Sequence, residues 1–241
     1  MSTPRLHTDA VLEPGAEIAA TPAQAHHLGT VLRRGPGDAV ALFNARDGEF
    51  AATVTALRKD RGAFAVGDRL RAPRPEPDLR LLVAAIKRDA LDWVVEKATE
   101  LGVSVIQPVM TRRSIVDRVN TDRLAAIARG AAEQCERLSV PTVCPAVPLH
   151  AALDAWDGAA LFVAAERRGA MPLRHAAAGA RLPLGWLVGP EGGFEGRELD
   201  DTVSRPFVTA VALGPRILRA ETAAVAGLAV LQALAGDWDV S

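Results

Sequence analysis

Two short segments hold the residue types that could do chemistry. The first is Leu187-Val188-Gly189-Pro190-Glu191-Gly192-Gly193-Phe194. Glycines behind an apolar run let backbone amides and carbonyls approach a ligand closely, so the segment reads either as a ligand loop or as a tight connection. It is not a dinucleotide fingerprint, because its glycines miss the G-x-G-x-x-G spacing, and it lacks the lysine and hydroxyl of a phosphate loop. The second is Leu213-Gly214-Pro215-Arg216-Ile217-Leu218-Arg219-Ala220-Glu221-Thr222-Ala223. Here a Gly-Pro corner precedes two arginines and a glutamate at the mouth of an apolar stretch, where charge needs a reason. Arg219 and Glu221 either pair with each other and cap a helix, or serve a reacting group. Cys135 and Cys144 have no paired Cys or His motif around them, which points to neither a zinc site nor a disulfide framework. His26 and His27 lack an obvious carboxylate partner and read as structural.

Both segments sit in a region built to position them. From Leu79 the pattern alternates strand and helix. Leu79 to Ile86 is a continuous apolar run suited to a strand buried on both faces. Asp89 is expected to cap a helix with Leu91, Val94, Val95, Ala98 and Leu101 on one face, ended by Gly102. Val103 to Val109 is the next strand. Thr121 is expected to cap a helix carrying Leu124, Ile127, Ala128, Ala131, Cys135 and Leu138. Further strands are expected at Ala159 to Ala164, Leu184 to Val188 and Phe207 to Leu213, and a last helix at about Glu221 to Ala235, apolar nearly all round. This alternation implies a mainly parallel sheet with helices on both sides, and in such sheets ligands bind at the carboxyl ends of strands. The last helix belongs either in the core of one chain or at a subunit interface.

Ahead of this region, residues 73–78 place proline at every second position without apolar content, an extended linker. Residues 1–72 differ in kind. Ala39 to Phe43, Phe50 to Leu57 and Ala63 to Leu70 are short β-prone runs between Gly, Asp and Asn punctuation, the pattern of a small β-barrel, with one helix at about Ala23 to Leu32. The predicted organisation is a barrel at 1–72, the linker at 73–78 and an α/β domain at 79–241.

With 28 basic and 29 acidic side chains, the net charge of −1 argues against a protein that coats nucleic acid indiscriminately and permits only local basic patches. Such clusters occur at Arg58, Lys59 and Arg61, at Arg69, Arg71 and Arg74, and at Arg112 and Arg113. Neither a secretory leader nor a membrane span is evident, so a cytoplasmic location without membrane attachment is expected.

Taken together, VGPEGGF and LGPRILRAETA resemble the C-terminal signature of the RsmE-type 16S rRNA uridine-N3 methyltransferases of the knotted SPOUT superfamily. The similarity extends to Lys97-Ala98-Thr99-Glu100-Leu101-Gly102-Val103, Gln107-Pro108, Arg112-Arg113-Ser114 and Ala132-Glu133-Gln134-Cys135-Glu136-Arg137, and touches His27-Leu28 and Val31-Leu32-Arg33. It departs at Lys87-Arg88, where the family has Lys-Gly, and at Leu6-His7, where aromatic residues are common. The resemblance implies a PUA-like RNA-binding barrel, a trefoil-knotted α/β domain behind it, and a homodimer. It also implies S-adenosylmethionine held among three loops: Ala164 and Ala165; Val188, Gly189, Glu191 and Gly193; and Leu213, Gly214, Ile217 and Leu218.

The resemblance further implies methylation of uridine N3 in 16S rRNA of the small ribosomal subunit. Arg219 is then expected to stabilise the deprotonated uracil and Glu221 to position Arg219 or relay the proton. Arg33, Arg112, Arg113 and Arg137 are expected to meet RNA, and no metal is expected. Cys135 raises a rival chemistry, thiolate attack on pyrimidine C6, which N3 alkylation does not need; its apolar helix face favours a packed thiol. The competing functions are a knotted methyltransferase with another acceptor, ribose 2′-O or guanine N1, and a non-catalytic RNA-binding assembly protein. A dinucleotide oxidoreductase fails on the missing fingerprint.

Overall fold

The computed structural model describes residues 3–165 and 170–238. The chain divides into two compact units, one made of residues 1–75 and 132–140 and the other of 76–131 and 141–241.

In the first unit the elements are β1 (Arg5–His7), β2 (Glu17–Ala20), α1 (Pro22–His26), β3 (Ala39–Asn44), β4 (Gly48–Leu57) and β5 (Gly62–Arg71). They form a five-stranded sheet in the order β1-β3-β4-β5-β2, antiparallel except for the β1–β3 pair. Alternation sets its buried face: Leu42 pairs with Phe50, and both pack with Leu6, Leu28, Val54 and Phe64. The helix expected at about Ala23 to Leu32 is divided. A capping box, in which Thr21 and Gln24 bond each other's backbone, starts α1, and a π-helical turn at His27–Val31 follows it.

Residues 132–140 join this unit through Arg5. Its guanidinium donates to the carbonyls of Ala132, Glu133 and Arg137 at 3.1, 3.0 and 3.1 Å. The carbonyls of a helix's last turn lack intrahelical partners, and a cation there also suits the helix dipole. Glu49 holds Arg5 at 2.7 Å in a buried pair, and Arg5 lies 4.2 Å over the Phe43 ring.

The second unit contains β6 (Leu79–Ala84), α2 (Arg88–Glu100), β7 (Val105–Met110), most of α3 (Thr121–Gln134), β8 (Thr142–Val143), β9 (Val147–Pro148) and α4 (Leu149–Asp154). There follow β10 (Ala160–Ala164), β11 (Met171–Pro172), α5 (Leu173–Ala176), β12 (Leu184–Val188), α6 (Gly196–Val203), β13 (Val208–Ala212) and α7 (Ala220–Ala235). The sheet runs β11-β13-β10-β12-β6-β7-β8, with β9 also on β7, and every pairing is parallel. β12 enters between β6 and β10, and β13 between β10 and β11. The last two long strands are therefore interleaved among earlier ones, and the carboxyl ends of β13, β10 and β12 become neighbours on one edge.

Two caps differ from expectation. The N-cap of α2 is Lys87 without a side-chain bond, and Asp89 lies in the first turn, where its charge meets the dipole. At α3 the capping side chain is Asn120, whose Oδ1 accepts from Arg123 N–H at 3.0 Å; Thr121 is the first helical residue. α3 also stops at Gln134, short of the expected Leu138, and Glu136 turns the chain with φ 64°. Gly102, with φ 77°, ends the segment after α2 as expected.

The apolar α7 packs into the unit on one face. Leu228 and Leu231 are buried, each contributing about 1.5–3 kcal/mol relative to exposure. Gly227 permits contact with the buried Trp186 of β12: a Cβ there would lie 2.1 Å from Trp186 Cε2. Trp186 Nε1 in turn donates to Ala223 O at 3.1 Å, which fixes the first turns of α7 against the sheet.

Candidate cofactor cleft and its catalytic margin

Because β10, β12 and β13 are adjacent and parallel, the residues that follow them meet on one edge of the sheet. A cleft of about 320 Å³ opens there, within the usual range for a small-molecule site. Of the residues expected to hold a cofactor, Ala164, Ala165, Val188, Gly189, Glu191, Gly193, Ile217 and Leu218 line it. Leu213 and Gly214 are not among its lining residues. Gly214 instead turns the chain with φ 112°, a conformation glycine tolerates and side-chain-bearing residues resist. Arg113, Phe194, Leu199, Ala220 and Ala223 complete much of the wall.

The first turn, from Gly189 to Gly193, is fixed by its neighbours. Gly193 N–H closes it on Pro190 O at 2.8 Å. Phe194 folds back over Gly189, where a Cβ would lie 2.7 Å from the ring. β7 delivers the segment Thr111 to Ser114, itself closed by Thr111 N–H donating to Ser114 Oγ at 3.0 Å. From that segment Arg113 Nη1 donates to Gly192 O at 2.9 Å and Arg112 N–H to Glu198 Oε1 at 2.9 Å. The Arg112 side chain pairs with Glu195 at 3.2 Å. Sequence reasoning assigned Arg112 and Arg113 to RNA and missed these contacts. The available signal was their position just past the carboxyl end of a parallel strand.

The second turn carries the charged residues. Arg219 is the N-cap of α7, but its side chain makes no capping bond and is 85% exposed. It stands 4.0 Å from Glu221, the limit of an ion pair. Leu218 and Ala220, on either side of it, both line the cleft, so Arg219 marks the margin of the cavity. The helix N-terminus adds partial positive charge at the same place.

The other expected residues are not among those that line the cleft. Arg33, exposed and with φ 53°, and Arg137, whose Nη2 bonds Ser139 Oγ at 2.7 Å, belong to the first unit. Cys135 is half-buried, with Sγ 3.9 Å from Ala132 O. Burial raises the Cys144 thiol above its ordinary pKa, which makes it a poorer nucleophile. Among the described residues no cluster of His, Cys, Asp and Glu is placed to hold a metal, and no helix is long and apolar enough to cross a membrane.

An interleaved parallel sheet with a small-molecule cleft at three adjacent strand ends defines a class. Residues 73–232 match the RNA methyltransferase domain family, and residues 20–65 match the RNA methyltransferase PUA domain family. The ribosomal RNA small subunit methyltransferase E of Rickettsia conorii is 33% identical over 232 residues, 95% of each chain. A Legionella pneumophila methyltransferase solved with bound SAM superposes with a TM-score of 0.85 at 30% identity, over 98% of this chain and 100% of that one. The ribosomal RNA small subunit methyltransferase E of Neisseria gonorrhoeae, solved with S-adenosyl methionine, gives 0.85 at 29% identity over the same shares. The chain belongs to the ribosomal RNA small subunit methyltransferase E family, whose members use S-adenosylmethionine.

The cleft fits that cofactor. Glycines 189, 192 and 193 leave backbone groups accessible, Val188, Ile217 and Leu218 offer apolar surface for a purine, and Arg113 and Glu191 supply charge.

Proposed function

We propose that this protein methylates N3 of a uridine in the 16S RNA of the small ribosomal subunit, with S-adenosylmethionine as methyl donor. The observation that carries the reading is Arg219 at the margin of the cleft, between two residues that line it. S-adenosylmethionine, when bound, supplies a methyl group on a sulfonium. Ala164, Ala165, Val188, Gly189, Glu191, Gly193, Ile217 and Leu218 would hold it, with Leu213 and Gly214 shaping the second turn behind them.

The protein must make a poor nucleophile reactive. Uracil N3 carries a proton, and its loss leaves an anion whose charge spreads to O2 and O4. Arg219, with its guanidinium in solvent beside the cleft, stabilises that charge, as donors do in an oxyanion site. Glu221 positions Arg219 across 4.0 Å. RNA is met by the first unit and by the cations Arg33, Arg112 and Arg137; arginine pairs with phosphate in two-pronged fashion and stacks on bases. Arg113 lines the cleft itself.

The active species is a homodimer acting on the assembled subunit in the cytoplasm. Trp93 on α2 and Leu234 on α7, 43% and 44% exposed, support a partner surface on these two helices, which pack against each other. Light scattering at micromolar protein gives twice the chain mass on this reading.

The deciding experiment transfers labelled methyl from the cofactor to small subunits purified from a strain lacking the gene, followed by nucleoside mass spectrometry. 3-Methyluridine is the expected product. Label in a ribose or a guanine would replace the acceptor, and no label on subunits or RNA would favour a non-catalytic RNA-binding role.

A further inference from the structure

The cleft is lined asymmetrically. The second turn and the start of α7 contribute Ile217, Leu218, Ala220 and Ala223, all apolar, whereas among the described lining residues only two are charged, Arg113 and Glu191. They carry opposite signs, and both belong to the side of the first turn: Glu191 within it, and Arg113 bonded to it at Gly192 O. A ligand held here meets only apolar side chains from the second turn and α7, and from the first turn's side a cation and an anion beside Val188 and Phe194. S-adenosylmethionine has that division, with a purine nucleoside at one end and an amino acid, carboxylate and ammonium together, at the other.

We propose that Arg113 and Glu191 recognise the amino-acid end of the cofactor, Arg113 the carboxylate and Glu191 the ammonium. The inference deepens the function proposed above and rests on its choice of cofactor. Arg113 suits the task because a guanidinium has five N–H donors. The bond to Gly192 O uses one and fixes the side chain, and among the described residues the others remain for a carboxylate in the two-pronged geometry that arginine favours. Prior ordering reduces the entropy lost on binding. Among the described residues Glu191 receives only a long contact from Lys87 N–H, 3.4 Å, which leaves its carboxylate able to take an ammonium.

The alternative is that Arg113 only props the first turn. Two ligands separate these roles. S-adenosylhomocysteine carries the amino acid, and 5′-methylthioadenosine keeps the adenosine and the sulfur but lacks it. Both are titrated calorimetrically into the full-length wild type, Arg113→Ala and Glu191→Gln. Loss of a charge-assisted contact predicts S-adenosylhomocysteine binding weakened about ten- to hundredfold in Arg113→Ala, with methylthioadenosine changed less than about twofold. Glu191→Gln, an exposed change that leaves the turn intact, follows the same selectivity with about a three- to tenfold loss. Equal weakening of both ligands by Arg113→Ala would reduce Arg113 to a prop and overturn the proposal for it, as unchanged binding of both would. Failure of Glu191→Gln to discriminate would overturn the ammonium assignment. A wild type that binds neither ligand would overturn the cofactor reading itself, and this inference with it.

Discussion

The two glycine turns border one cleft and are built in opposite ways. Gly189 to Gly193 is tied on three sides: by its own closing bond, by the Phe194 ring, and by Arg113 reaching across from the segment after β7 to Gly192 O. Residues 214–218 receive no hydrogen bond from another element among the described residues. Ile217 is 73% exposed and the Arg219 side chain 85%. One turn is a finished cradle. The other is held at its ends, by β13 and by α7, and leaves Ile217 and the Arg219 side chain open to solvent. A group that must meet both a cofactor and a large RNA profits from the second design, because the approach stays open until the RNA is in place.

The sharpest way to break this contrast is Arg219→Ala. If Arg219 serves the reacting base and not the cofactor, kcat falls about 10²–10³-fold, while affinity for S-adenosylhomocysteine stays within about twofold. A parallel fall in affinity would show that Arg219 also holds the cofactor. Gly189→Ala strikes the first turn. The added Cβ would lie 2.7 Å from the Phe194 ring, an overpacking cost of about 1–3 kcal/mol. Because the turn is finished before the cofactor binds, the loss appears in the unliganded protein as a melting temperature lower by a few degrees, about 2–4 °C per kcal/mol.

Ile217→Ala tests the opposite property. An apolar side chain already in solvent contributes little to the empty protein, so thermal stability should change by less than about 0.5 kcal/mol. If Ile217 covers the bound cofactor, affinity for S-adenosylhomocysteine falls about tenfold, roughly the worth of its burial on binding. A drop in melting temperature without loss of affinity would mean that the second turn, too, is pre-built.

These turns also mark how far the sequence could be read. The glycine turn after the apolar run ending at Val188 had a local reason to be there, yet pattern alone left it either a ligand loop or a tight connection; Val188, Gly189 and Ile217 were named through the family resemblance. Strand and helix order followed from apolar runs such as Leu79 to Ala84. What depended on distant partners stayed hidden. Arg113 meets Gly192 across 79 positions, and nothing near Arg113 in the chain announces that bond. Arg5 holding the end of α3 is hidden for the same reason, as is the grouping of residues 132–140 with the first unit. The caps at Lys87 and Asn120 each fall a residue or two before the expected Asp89 and Thr121, since several polar residues in succession compete for one position and only the backbone geometry chooses. The interleaving of β12 and β13 has no local signature at all; the family resemblance supplied it.

The smallest expected effect lies beneath the first turn, at the base of the strands that carry it. Asp78 takes two bonds from Arg80, at 3.0 and 2.7 Å, and one from Ser104 Oγ at 2.6 Å. Its carbonyl receives Leu184 N–H, the start of β12, at 3.1 Å. The Arg80 hydrogen bonds hold the carboxyl below its ordinary pKa of 3.8 against the cost of burial, with Ser104 adding to the effect. A carboxyl depressed in the folded state takes up protons more readily in the unfolded chain. Its stabilisation is therefore complete above about pH 4 and is lost as pH falls through the depressed value. Because the Asp78 side chain is 38% exposed, solvent screening keeps that contribution to about 0.5–1 kcal/mol. Asp78→Asn should lower stability by that amount at pH 7 in urea unfolding, and the gap to wild type should close below about pH 4. A gap that stayed constant into acid would assign the effect to the backbone bond with Leu184. Hydrogen exchange in the same variant sharpens the contrast: with its base loosened, Leu184–Val188 should lose protection before Val208–Ala212, the strand that leads to the open turn.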